Sequence, residues 1–184
     1  GFNLAGHWHW GDPQRAALRD MYTGANWLYQ AGTRTLDTID VVEAAGSSSY
    51  VPANGAVYPN GSFGDNLKAI AQMIKADLGL RVATIDMGNY DMHQNLGGAT
   101  GGWMFNQLTE LSTALAAFAK ELGNDFNRVT LVTMSEFGRR VSQNGSGGLD
   151  HGHGNAVLVM GGGVNGGKVY GRWSGLAPSA QDNG

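Results

Sequence analysis

Five histidines stand in this 184-residue chain, and all five fall in segments that read as loops. His7 and His9 lie in Gly6-His7-Trp8-His9-Trp10, His93 closes Asp91-Met92-His93, and His151 and His153 belong to Asp150-His151-Gly152-His153. Carboxylate beside imidazole is the ligand set of Zn²⁺, Mn²⁺ or Fe, whereas all-oxygen ligation suits Ca²⁺ or Mg²⁺. The chain has no cysteine, so a metal here is held by oxygen and imidazole nitrogen alone. Each short pattern also has a plain reading as a hydrogen-bonded loop, and the case for a site rests on the two Asp/His groups acting together. His7 and His9, flanked by Trp8 and Trp10, read as an aromatic patch, an oligomer contact or a docking strip.

Arg139 also has two readings. It can clamp an oxyanion such as phosphate or sulfate bidentately, or form a structural ion pair with Glu136 or Asp150. The run Gly161-Gly162-Gly163-Val164-Asn165-Gly166-Gly167 looks like a phosphate cradle, but no helix follows to supply the amides, and a turn between strands is the simpler reading.

Elements of regular structure must aim these loops. Asp12-Pro13 opens a helix whose apolar positions Ala17, Leu18, Met21, Tyr22, Ala25, Leu28 and Tyr29 recur at helical spacing until Gly32, with a weaker stripe through Leu36, Ile39, Val42 and Ala45. Residues 46–61 are rich in turn formers and read as a loop. A further helix starts near Ser62, with Phe63, Leu67, Ile70, Ala71, Ile74 and Leu78 on one face and Gly79 as its stop. Leu80–Asp86 reads as a buried strand, Trp103–Leu122 as a long amphipathic helix closed by Gly123, and Val129–Met134 as a second strand, which together predict a parallel βαβ unit. Ala156–Met160 reads as a third strand. In such a sheet the loops beyond the strand ends would deliver Asp86, Asp91, His93, Ser135, Glu136 and Arg139 to one crevice, with Asp150–His153 just before the next strand.

Composition bounds the rest. At 42% hydrophobic and 15% charged, with a net charge of −3, the chain can bury a core and is not a disordered acidic segment. No basic cluster exceeds Arg139-Arg140, so nucleic acid is not an expected partner. No apolar run approaches the roughly 18 residues of a membrane span, and the start at Gly1 reads as a processed protein or a fragment. The 30 glycines call for many tight or open backbone positions. Without a repeat or a clear boundary, the chain reads as one α/β domain, with residues 1–61 a helical and loop segment able to cap a sheet-containing core at 62–184.

One resemblance extends this reading. The string Thr133-Met134-Ser135-Glu136-Phe137-Gly138-Arg139, then Asn144-Gly145, Gly147-Gly148-Leu149-Asp150-His151 and Val159 through Gly167, resembles the bacterial domain-of-unknown-function family 1501. Asp86 through Asn95 resembles that family's Gly-Gly-Trp-Asp-Thr-His-Gln segment. The likeness covers about residues 62 to 172, with residues 1–61 matching loosely. That family is similar to the alkaline phosphatase and sulfatase superfamily. The resemblance implies a three-layer α/β/α sandwich with a mostly parallel sheet, incomplete here at its N-terminus, because the early strand that carries the superfamily's nucleophile is not found.

It also implies export by the twin-arginine route to the periplasm or beyond, and a divalent metal, Zn²⁺ or Mn²⁺ first with Ca²⁺ as the alternative. Carried over by position, Asp91 and His93 serve one ligand group, Glu136 lies where an Asp-His pair is expected with Phe137 in place of the His, and His151 or His153 is the later His. The expected activity is metal-dependent hydrolysis of phosphate or sulfate esters. Its metal ligands come from Asp91, His93, Glu136, Asp150 and His151; Arg139 steadies the oxyanion, and His153 is an outer or acid/base residue. The expected partners are a small anionic ester or an extracellular polymer, and a second exported protein. The competing expectation is a non-catalytic exported protein of the same fold that binds a metal or ligand, using its Trp-rich N-terminal segment and Gly-rich loops on a polymer or partner.

Overall fold

The computed structural model describes residues 11–46 and 50–181, so the expectations for His7 and His9 lie outside the described residues. The chain divides into two compact units, Gly1–Ile85 and Asp86–Gly184.

The first unit is helical. α1 (Gly11–Met21) and α2 (Trp27–Gly46) replace the single helix expected to run to Gly32. The break follows from local chemistry. Asn26 Oδ1 accepts the Tyr29 amide at 2.9 Å, which caps a new helix, and Gly24 takes φ +147° just before it. Tyr22 and Tyr29 meet edge to face across the break, 6.4 Å between centroids. Two arginines of α1 tie it to α2: Arg15 forks onto Glu43 at 2.6 and 2.7 Å, and Arg19 reaches Asp37 at 2.8 Å and Asp40 at 2.6 Å. Among the described residues of the expected loop, the only regular turn is a short 3₁₀ segment, Ala53–Gly55.

α3 (Ser62–Lys75) starts where its apolar stripe predicts and buries Phe63, Gly64, Leu67 and Ala71. Asp65 in its first turn and Lys75 in its last both complement the helix dipole. The helix stops at Lys75, short of the expected Gly79, because Asp77 already adopts a left-handed conformation at φ 51°.

The second unit contains α4 (Trp103–Leu122), whose bounds coincide with those predicted from the apolar spacing, between Gly102 and Gly123. Its C-terminal half is the buried part: Ala114, Leu115, Ala117, Phe118, Glu121 and Leu122. Phe118 packs edge to face on Phe126 of the following 3₁₀ turn, which brings the chain round to the first strand.

Four short strands follow: β1 (Thr130–Val132), β2 (Gly138–Arg139), β3 (His151–Gly152) and β4 (Val159–Gly161). β1 pairs with β4 and β2 with β3, both antiparallel. The α/β/α sandwich with a mostly parallel sheet is therefore not the fold of the described residues. Residues 80–86, expected as the first strand of a βαβ unit, form no regular element, and Val82 is 80% exposed. A short apolar run does not specify a partner, and a strand exists only through its ladder. The other two expected strands do form in part, but they pair with each other antiparallel, in the register Thr130↔Gly161, Leu131↔Met160 and Val132↔Val159.

Candidate metal centre

The β2–β3 pair and the segment from Tyr90 to Leu96 carry the site. Arg139 on β2 faces His151 on β3, with Gly138 opposite Gly152. Gly138 is required there, because a β-carbon would lie 2.6 Å from the His153 carbonyl carbon. The long connection between these strands folds back onto the 90–96 segment through main-chain bonds: Asn95 N to Ser146 O, Leu96 N to Gly147 O and Leu149 N to Met92 O. Gly148 packs directly on the main chain of His93, a contact that leaves no room for a side chain. This gives the glycine excess one specific use, the close approach of two loops that carry imidazoles and carboxylates.

At the meeting point, three side-chain atoms converge. His93 Nε2 lies 3.1 Å from His151 Nε2 and 3.1 Å from Asp91 Oδ1, and His151 Nε2 lies 3.3 Å from Asp91 Oδ1. The tautomer of His93 follows from its other nitrogen. Nδ1 stands 2.9 Å from Asp150 Oδ1, and an ionised carboxylate only accepts, so Nδ1 carries a hydrogen; in the neutral ring Nε2 then presents a lone pair. That lone pair faces a carboxylate oxygen, and His151 can offer at most one N–H to the group. Together the three atoms offer a cation two imidazole nitrogens and one carboxylate oxygen. Ligands held at about 2.0–2.1 Å in a tetrahedral set lie about 3.3 Å apart, close to the spacings seen.

Arg139 braces this group from one side. Its Nη2 donates to Asp91 Oδ1 at 2.7 Å and to the Tyr90 carbonyl at 3.1 Å, while Nη1 donates to the Leu149 carbonyl at 2.9 Å. The hydrogen bond from Arg139, and then that from His151, holds the Asp91 carboxyl below its ordinary value; His93 and then Asn144 do the same for Asp150. Phe137 stacks against the His151 ring, 3.8 Å between centroids and tilted by 33°, with the Arg139 guanidinium 5.2 Å from the Phe137 centroid.

Of the residues singled out in the sequence, Asp91, His93 and His151 come together as potential ligands. Asp150 stands behind His93 on the far ring nitrogen, and Arg139 is committed to Asp91 and two carbonyls instead of facing outward. Glu136 and His153 are exposed and stay outside the three-residue group. Sequence reasoning overlooked Asn144 and gave Phe137 no part in the site. Asn144-Gly145 signals a turn, but nothing in the local sequence signals that the Asn144 amide reaches both Asp150 and the His93 carbonyl. A separate shallow apolar depression of about 250 Å³, lined by residues including Met104, Phe105 and Leu108 of α4, contains none of these groups.

No described helix is long and apolar enough to cross a membrane. No curated protein and no solved structure matches the chain. One family model, described as a protein of unknown function (DUF1501), matches residues 9–184 and so takes in most of the N-terminal segment that resembles the family only loosely by inspection.

Proposed function

Since the chain belongs to the DUF1501 family, we propose that it binds one divalent transition metal through Asp91, His93 and His151 and acts as an exported hydrolase of phosphate or sulfate esters. The observation that carries this reading is the convergence of the two Nε2 atoms and one carboxylate oxygen within 3.3 Å of one another. Two imidazoles and one carboxylate favour Zn²⁺ or Mn²⁺ over Ca²⁺. A metal in such a set supplies Lewis acidity to an ester oxygen and to water.

The chain's own residues do the rest. Arg139 aims Asp91 and keeps it ionised. Asp150 holds His93 in the tautomer that points Nε2 at the shared centre. The ligand side chains are 44%, 51% and 69% exposed for His93, His151 and Asp91, which leaves an open face for an anionic ester. With Arg139 turned inward, steadying of the ester's charge falls to the metal centre in this reading. Glu136 and His153 have no part in it.

The same exposure supports a second reading, a non-catalytic metal-binding protein, because a hydrolytic centre gains from walls that exclude water. One experiment separates the two. Chelator-treated full-length protein is titrated with Zn²⁺, Mn²⁺ and Ca²⁺, then assayed for bound metal and for turnover of aryl phosphates and sulfates. One equivalent of Zn²⁺ or Mn²⁺ with turnover is the expected result; one equivalent without turnover selects the binding protein. Absence of stoichiometric metal overturns both. Export is tested by fractionating cells that express the full-length gene.

A further inference from the structure

The amide of Asn144 makes four hydrogen bonds in two directions. Its Oδ1 accepts the main-chain N–H groups of Ser146 and Gly148, each at 3.0 Å, and so closes its own turn. Its Nδ2 donates to the His93 carbonyl and to Asp150 Oδ1, each at 2.9 Å. Asp150 Oδ1 is also the atom that accepts from His93 Nδ1. One side chain thus grips the His93 residue at both ends, its main chain directly and its ring through Asp150.

We propose that Asn144 is a positioning residue for the metal ligand His93, acting through Asp150 to fix the direction of the Nε2 lone pair; the inference rests on the metal reading above. Three observations argue for it. The two segments are joined by main-chain bonds on either side of the contact, so Asn144 is held at a defined distance from His93. Gly148, four residues on, lies against the His93 main chain with no space between them. A carboxylate bonded to the outer nitrogen of a ligating imidazole fixes its ring and raises its basicity, and a group that fixes the carboxylate extends that constraint by one step.

The test is a double-mutant cycle on full-length protein with Co²⁺ as the probe, its binding followed by visible absorption, alongside the thermal midpoint of the metal-free protein. Asn144→Ala and Asp150→Asn are each expected to weaken Co²⁺ binding by about 10- to 100-fold. The double variant should be no more than about threefold weaker than the worse single, because both act on one imidazole. In metal-free protein, ¹⁵N resonances of His93 should report the Nδ1–H tautomer in the wild type and a mixture in Asn144→Ala.

Should Asn144→Ala fail to fold, Asn144→Ser is the second variant. Its hydroxyl can close the turn but cannot reach Asp150, and it should show the same loss of affinity and the same tautomer mixture. Unchanged affinity, fully additive losses, or a lowered thermal midpoint with the tautomer intact each overturn the positioning role and leave the metal reading standing. A wild-type protein that binds no Co²⁺ overturns both.

Discussion

On α1 and α2, Arg15 and Arg19 face Asp37, Asp40 and Glu43, and every contact among them sets a guanidinium N–H against a carboxylate oxygen. Around His93 the composition is similar, one arginine and two carboxylates with two imidazoles added, but the pairing is not. There the arginine donates to Asp91 Oδ1, and two imidazole nitrogens converge on the same oxygen. The first cluster fastens two helices. The second places two imidazole nitrogens and a carboxylate oxygen within ligand distance of one another, and this ligand chemistry, rather than charge density, separates a brace from a candidate site.

The comparison breaks most sharply on ligand removal. His93→Ala or His151→Ala should lower Zn²⁺ affinity by more than about 100-fold, beyond the 10- to 100-fold typical of outer partners, while Arg15→Ala leaves it unchanged; calorimetric titration reads both. If the Arg15 variant binds Zn²⁺ as weakly as the His variants, the two clusters are not functionally distinct. Next in size is Gly148→Ala, whose β-carbon has no room against His93; a loss of about 1–3 kcal/mol in urea unfolding is expected, together with weaker Zn²⁺ binding.

Arg139→Met should weaken Zn²⁺ binding by roughly 10-fold, because Asp91 loses the donor that aims it. Arg15→Ala should cost about 0.5–1 kcal/mol of stability, with the loss shrinking in 1 M salt, since Arg15 and Glu43 are largely but not fully buried.

The smallest effect is on the acid side. Asp91 and Asp150 titrate below the ordinary carboxylate value of 3.8 in the folded protein, so the unfolded chain binds more protons as pH falls toward that value. Their stabilisation is complete above the ordinary value and is lost as pH drops through the folded one. The urea midpoint of metal-free protein should therefore fall between pH 5 and pH 3, and Asp91→Asn with Asp150→Asn should flatten that slope. An unaltered slope would show that these carboxylates contribute nothing to the folded state.

Much of the site was legible before the fold was known. Asp91, His93, Asp150 and His151 stood out by type and spacing, and the structure brings them together on two adjoining segments. Which of them converge and which stands behind was not legible. Asp-His spacing does not tell whether the aspartate meets the converging atoms, as Asp91 does, or the back of another imidazole, as Asp150 does. Arg139 read either as an anion clamp or as an ion pair with Glu136 or Asp150; the Asp91 carboxylate and the Tyr90 and Leu149 carbonyls that take it up lie 48, 49 and 10 residues away. The expected parallel sheet failed at residues 80–86, where an apolar run with the composition of a strand finds no ladder.

The sequence by itself determined α4 to the residue and the start of α3, because a helix satisfies its backbone within about four positions and its apolar stripe is a local signal. It also excluded thiolate ligation at any metal centre, since the chain has no cysteine. Tertiary structure alone decided that β1 meets β4 antiparallel, that Asn144 reaches Asp150, and that two imidazoles point at one carboxylate oxygen. Strand pairs and converging side chains join residues far apart in the chain, and which distant atoms meet depends on how the intervening loops close.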